Sequence, residues 1–151
     1  VVCTILRLPL LVGTNPPGNL GAMIRGIAKG YYFNISGGKA KKSMVLAEDV
    51  AIFIPTIANI GGVYNLTDGY HPSFFELSTI IAKQLKKNSP SNLPKFLAKS
   101  IGIVGDLIGS KAPINSLKLK KITADLTFDD HKAQSVGWMP RSVLEWYQSA
   151  E

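Results

Sequence analysis

Lys39, Lys41 and Lys42 follow closely on Tyr31, Tyr32 and Phe33. Ammonium groups beside ring faces can hold an anionic, ring-bearing ligand, with cations on phosphates and rings stacked on bases. The intervening Ser36-Gly37-Gly38-Lys39 resembles part of a phosphate-binding loop. That loop needs a glycine five residues before its Gly-Lys pair and Ser or Thr after the lysine. Phe33 and Ala40 stand there, so it is excluded. Gly102, Gly105 and Gly109 nearly spell a dinucleotide fingerprint, but each spacing is one too long. The preceding Phe96-Leu97-Ala98-Lys99 reads as helix, where the fingerprint must follow a strand. Close helix packing explains these glycines better.

Metal chemistry finds little support. His71 and His131 are the only histidines, sixty residues apart, and neither has a second ligand at metal spacing. No Gly-x-Ser-x-Gly elbow is present, although a Ser-His-Asp set assembled by folding stays open. Asn34-Ile35-Ser36 and Asn65-Leu66-Thr67 match the glycosylation pattern but fall in expected buried strands, so they are read as chance.

The elements that must position these residues come from a chain of 151 residues, a length that suits one domain. A chain of this size buries roughly 70% of its unfolded surface. With 46% hydrophobic and 18% charged residues, a packed core is expected and general disorder is excluded. The net charge of +7 favours an anionic partner, either nucleotide phosphate, nucleic acid or an acidic surface. A solvated lysine surface is the other reading. The single cysteine, Cys3, cannot form an internal disulfide and is expected as a small buried apolar residue. No apolar stretch reaches the roughly 18 residues of a membrane helix. Val1–Val12 is interrupted by Arg7 and Pro9 and has no basic leader, so it does not read as a signal peptide, and a cytoplasmic location is expected. The start at Val1 is consistent with a fragment.

Along the chain, Val1–Leu8 predicts a strand buried on both faces of a parallel sheet. Such a strand needs neighbours, which suggests further strands upstream, and its edge is expected to promote self-association. Asn19 is expected to cap a helix over Leu20–Lys29 that Gly30 ends, with Leu20, Met23, Ile24 and Ile27 on one face. Strands are predicted at Tyr31–Ile35, Lys42–Leu46 and Val63–Leu66. A helix from Glu48 to Asn59 lies between the last two. Ser73 and Glu76 form a capping box for a helix to about Lys87, with Phe74, Leu77, Ile81 and Leu85 inward. Asn88–Pro94 reads as a polar linker. Helices follow at Lys95–Ile108 and Ser116–Lys121, then an extended stretch at Ile122–Phe128. Short helices at Asp129–Val136 and Arg141–Ala150 flank the Gly137-Trp138-Met139-Pro140 turn.

Several segments in one order point the same way: Leu6-Arg7-Leu8-Pro9 through Val12-Gly13, then Gly18-Asn19-Leu20, then Gly38 through Ala51. Tyr64-Asn65-Leu66-Thr67-Asp68-Gly69 with Ser73 and Glu76-Leu77 follow, and Asp129, Lys132-Ala133 and Gly137-Trp138-Met139-Pro140 close the set. This order resembles the C-terminal half of extended short-chain dehydrogenases/reductases of the nucleotide-sugar epimerase and dehydratase group, and it covers nearly the whole chain. The resemblance implies an α/β fold: the C-terminal substrate-binding part of a Rossmann-type enzyme whose N-terminal NAD-binding portion is missing. Residues 1–13 would then be the last strands of the Rossmann sheet and 14–151 the substrate subdomain.

It also implies a UDP-sugar ligand, NAD in the parent enzyme and C4 epimerisation through a keto intermediate. A 4-ketoreductase or 4,6-dehydratase is the alternative within the group. Asn19 and Leu20 match the loop-to-helix nucleotide site, although Asn19 also reads as a plain N-cap. Lys42 stands where many members place an arginine on the pyrophosphate; lysine keeps the charge and loses the bidentate fork. An exposed lysine is its other reading. Phe33 and Ile35 match positions flanking the uracil, or are core, and Tyr70 matches a residue near the nucleotide, or is an exposed loop aromatic. The second phosphate arginine is absent, with Lys118, Lys120 and Lys121 nearby. Arg7 and Asp49 are expected to be structural, joining the two halves and capping a helix. The family's catalytic tyrosine precedes a lysine by four residues. Here Ile35, Ser36, Asp68, Phe74 and Glu151 occupy that place after the five tyrosines, so no catalytic residue is assigned. No bound cofactor is expected in this chain alone. A homo-oligomer stays open, no membrane partner is expected, and a basic nucleic-acid-binding module ranks well behind.

Overall fold

The computed structural model describes residues 1–108 and 116–149. The elements run β1 (Thr4–Arg7), β2 (Leu10–Val12), α1 (Gly18–Lys29), β3 (Asn34–Ile35), a 3-10 turn (Ser36–Gly38), β4 (Met44–Leu46) and α2 (Ala47–Ile57). Then come β5 (Gly62–Asn65), α3 (Phe74–Gln84), β6 (Asn92–Leu93), α4 (Lys95–Ile108), α5 (Ser116–Thr123), α6 (His131–Gln134) and α7 (Val143–Ser149).

Every ladder is parallel: β1 with β5, β2 with β4 and β3 with β6. A parallel pair cannot close by a hairpin, so each partner arrives from far along the chain. Pro9 lacks the N–H that would continue a ladder. There the chain leaves β5 and takes β4 as its partner, in the register Leu10↔Met44, Leu11↔Val45 and Val12↔Leu46.

β4 is buried throughout, and its residues alternate between two cores. Met44 and Leu46 join Val12, Leu20, Met23, Leu77 and Ile81. Val45 points the other way, to Val50, Phe53, Ile57, Leu66 and Trp138. Each fully buried aliphatic side chain here contributes roughly 1.5–3 kcal/mol.

The stretch from Trp138 to Val143 ties the two cores together. Trp138 belongs to the second core and Val143 to the first. The Trp138 indole N–H donates to the Thr67 carbonyl at 2.8 Å. The backbone N–H and Nε of Arg141 donate to the two oxygens of Asp49, each at 2.7 Å. The Val143 N–H donates to Asp68 at 3.0 Å, so this carboxylate serves the first turn of α7 from 75 residues away. Asp49 is thus structural, but it does not cap a helix as expected: it lies inside the first turn of α2 and holds the C-terminal segment there.

Other expectations change. β1 is short, and Ile5 and Leu8 are exposed, so the strand is not buried on both faces. Its partner is β5, and no other described segment covers that face. Cys3 is exposed, not buried, because it precedes β1 outside either core. α1 begins at Gly18 behind Pro17, so Asn19 sits inside the first turn and caps nothing with its side chain. Gly30 ends this helix at φ 78, as a left-handed C-terminal residue should. The strand predicted over Tyr31–Ile35 keeps only Asn34–Ile35, because the N–H groups of Tyr31 and Tyr32 fold back onto the Gly26 carbonyl. The polar linker contains β6, which completes β3. Half of the capping box forms: Ser73 Oγ accepts from the Glu76 N–H, while the Glu76 carboxylate accepts from the Tyr70 hydroxyl at 2.9 Å. α5 runs on to Thr123, into the stretch expected to be extended. Ala150, the expected end of the last helix, lies outside the described residues.

Replacing Asp49 by alanine is expected to lower stability by about 2–3 kcal/mol, because it strands the Arg141 donors that it accepts beside a buried segment. Glu48→Ala removes only the exposed arm of the same contact and should shift the urea midpoint little. Equal midpoint losses in the two variants would contradict this division.

Candidate functional site

Segments far apart in sequence converge on the first turn of α3. The Lys42 ammonium lies 5.6 Å from the centroid of the Phe74 ring. It donates to the carbonyls of Lys121 and Ala124, at 2.9 and 2.6 Å. These close the C-terminal end of α5, where carbonyl dipoles favour a cation. Burial lowers the Lys42 value and Asp125 pulls it part of the way back. A lysine has three donors, so two bonds leave one N–H free for a ligand.

The turn before β4 is fitted to the same place. Gly38 has φ 62, and a Cβ there would lie 2.7 Å from the Phe75 nitrogen. Only glycine allows this approach. The buried Asn34 amide donates to Ser78 Oγ at 3.0 Å, so this asparagine of the first glycosylation pattern faces the interior. The Gly37 N–H donates to Asn92 at 2.6 Å.

Leu20 is buried in the first core, and Phe74 packs against that core with the Lys42 ammonium near its ring. Tyr70 is half-exposed, and its hydrogen bond to Glu76 raises its hydroxyl value. Ile35 is half-buried opposite Leu93. Asn19 is exposed at the start of α1. Phe33 is half-exposed, which rules out the core reading for it. It lines a cleft of about 270 Å³ with Ile27, Gly30, Tyr32, Lys87 and Ser91. In that cleft, burial pushes the Tyr32 hydroxyl up to about 12. Asn19 and the Phe33 cleft therefore lie at opposite ends of α1, whose 12 residues rise about 18 Å. The structure brings Lys42 and Tyr70 to the first turn of α3, keeps Leu20 buried in the first core, and leaves Phe33 at a separate cleft. The side chain of Lys118 lies outside the described residues.

Sequence reasoning missed two features. Phe74 reads as a core position from its helical spacing, and nothing in the sequence marks it as the ring beneath Lys42. A second cleft, of about 330 Å³, opens beyond the ends of β2 and β4 among Val12, Gly13, Thr14, Leu46, Glu48 and Trp146. The carboxyl ends of parallel strands are where α/β folds place ligands. Val12-Gly13 belongs to the ordered motifs without having been marked as part of a cleft, and Trp146 joins only through the fold.

Folding does bring a serine, a histidine and an aspartate near one another. Ser43 Oγ lies 3.1 Å from His71 Nδ1, and His71 acts electrostatically on Asp68. The set is not nucleophilic. Ser43 is buried and accepts the Phe128 N–H at 2.8 Å, while Asp68 accepts the backbone N–H groups of Tyr70 and Val143. Among the described residues no group of three His, Cys, Asp or Glu converges on a metal position. Gly102 and Gly105 are buried inside α4, so their amides serve the helix and do not fit a dinucleotide cradle; Gly109 lies outside the described residues.

Because the folded value of Lys42 lies below the unfolded 10.5, its penalty is relieved as pH rises through that window. The chain should therefore gain stability relative to Lys42→Met on approaching pH 10.5. Urea unfolding across the range tests this, and parallel curves for the two proteins would refute it.

The chain matches no protein-family model. It is 28% identical over 150 residues to the N-acetyl-alpha-D-glucosaminyl-diphospho-ditrans,octacis-undecaprenol 4-epimerase of Escherichia coli O157:H7, covering 93% of this chain and 45% of that protein. Its fold matches a nucleoside-diphosphate-sugar epimerase from Pseudomonas aeruginosa (TM-score 0.72, 17% identity, 97% of this chain and 46% of that one). It also matches the UDP-N-acetylglucosamine 4-epimerase from Bacillus cereus (TM-score 0.63, 15% identity, 97% and 47%). The chain spans a little under half the length of each of these proteins. The resemblance read from the ordered motifs is borne out: the chain is similar in sequence to a sugar 4-epimerase and has the α/β fold of the nucleotide-sugar epimerases.

Proposed function

We propose that the chain is the C-terminal, nucleotide-sugar-binding portion of an NAD-dependent UDP-sugar 4-epimerase. In this reading residues 1–13 complete a Rossmann sheet and 14–151 form the substrate subdomain. The observation that carries it is the similarity to a 4-epimerase over 93% of the chain. The free edge of β1 and the exposed Ile5 suit the addition of further strands from the parent protein. NAD would be held by that other portion, because the glycines present here do not form a cradle for it.

The work left to this chain is to hold a nucleoside diphosphate. That ligand needs a cation for its phosphates and an apolar slot for its base. The remaining Lys42 N–H supplies the first, beside Phe74, with Leu20 proposed to back the site from the first core. Asn19 offers its amide to the nucleotide from the start of α1, and Tyr70 borders the same corner. Phe33 and Ile35 are the residues proposed to flank the uracil. A second reading is favoured by the name of the Escherichia coli relative, whose substrate carries its sugar on a polyprenyl diphosphate. The diphosphate-sugar is common to both readings, and only the uridine slot separates them.

Calorimetric titration with UDP-N-acetylglucosamine should show saturable binding. Lys42→Ala should weaken it roughly tenfold, the cost of one charge-assisted hydrogen bond. Phe33→Ala should weaken UDP binding and leave inorganic pyrophosphate unaffected. Pyrophosphate binding with indifference to UDP would move the choice to the polyprenyl substrate. Binding of neither would sink both. The chain by itself should convert no UDP-glucose to UDP-galactose in the presence of NAD, since none of its tyrosines precedes a lysine by four residues. Turnover above a blank would show that this reading of the catalytic groups is wrong.

A further inference from the structure

α4 meets the protein with the face that an ordinary surface helix would turn outward. Its buried positions are the small residues Ala98, Gly102 and Gly105, and its principal packing partner is α5. Without side chains at the glycines, the two helices come close together. At 100° per residue, Phe96, Leu97, Ile101, Ile103, Val104 and Leu107 occupy a continuous arc on the opposite side. All six are exposed, with Phe96 at 68% and Leu107 at 85%. Monomeric proteins rarely leave this much contiguous apolar side chain in water.

The charge around the patch is one-sided. Among the described side chains, α4 and α5 carry Lys95, Lys99, Lys120 and Lys121, all exposed, against one acidic residue, Asp106. Asp106 is itself engaged, accepting the Ser116 N–H and hydroxyl. Lys95 and Lys99 lie along the border between the packed seam and the apolar arc, and Lys120 and Lys121 are exposed on α5. An apolar face bordered by long cationic side chains suits a surface that is hydrocarbon inside and anionic at its rim. A protein groove would match the apolar arc but would have to supply an acidic rim of its own. The 14 residues of α4 rise about 21 Å, and no described helix is long and apolar enough to cross a membrane.

We propose that the α4–α5 hairpin docks on an anionic lipid surface, with the Phe96–Leu107 face in the interfacial layer and the flanking lysines among the headgroups. The helix lies along the membrane and does not span it. The proposal rests on this patch and not on the diphosphate reading. The two meet in space, because α5 ends on the Lys42 ammonium. A docked hairpin sets that corner beside the headgroups.

The test is co-sedimentation of the 151-residue chain with vesicles of phosphatidylcholine alone and of phosphatidylcholine with phosphatidylglycerol. The chain should pellet with the anionic vesicles, and added salt should release it. Lys99→Gln and Lys121→Gln should each cost roughly fivefold in the partition coefficient. Leu107→Asp should abolish binding with an unchanged far-UV spectrum. Phe96→Trp should show emission shifted to the blue on anionic vesicles, which reports insertion without relying on a disruptive variant. Recovery in the supernatant whatever the vesicle would overturn the proposal. So would binding that survives Leu107→Asp, since charge alone would then account for it. A dimer by sedimentation velocity that Leu107→Asp splits, with no vesicle binding, would assign the face to a second copy of the chain and overturn the lipid assignment.

Discussion

The two faces of β4 organise the structure. Three consecutive residues, Met44, Val45 and Leu46, are fully buried, and they alternate between two cores. A strand can do this because its side chains point to opposite faces in turn. β2 repeats the arrangement one strand over, with Val12 and Leu10 on the first core and Leu11 on the second. A shift of one residue in the β2–β4 register would exchange the two sets. The helices take their places from this wall. α1 and α3 cover one side and α2 the other.

A wall with two independent cores would leave the halves free to slide. Polar contacts from the stretch between Trp138 and Val143 prevent that. Trp138 fills the second core and bonds Thr67, Arg141 fits the Asp49 carboxylate, and Val143 bonds Asp68 before entering the first core. Burial raises the Asp68 value, partly offset by the N–H groups it accepts. A carboxylate in that position is retained for the donors it satisfies, since an N–H without a partner in the interior is costly.

The candidate site is a by-product of the same construction. α3 starts where the loop after β5 returns beside β4, and this brings its first turn against Lys42, Gly38 and Asn34. The ammonium of Lys42 joins that turn to the end of α5, which carries α4 with it. The binding corner and the exposed apolar hairpin are therefore neighbours through one cation.

Local chemistry was legible in the sequence. The span of α4, the left-handed Gly30, the Ser73 cap and the inward face of α3 follow from periodicity and from residues with few conformational options. The ordered motifs also pointed to the epimerase fold, through their order along nearly the whole chain. What depends on partners distant in sequence was decided only by tertiary structure. Asn19 lost its capping role because Pro17 and Gly18 start the helix sooner. Most of the predicted Tyr31–Ile35 strand yielded to the free Gly26 carbonyl, and β6 formed in a polar stretch because β3 offered it a ladder. The sequence marked Lys95–Ile108 as a helix but could not say which side faces the protein. Its glycines and alanine allow a close approach to α5, so the small residues turned inward and the large apolar ones were left in solvent.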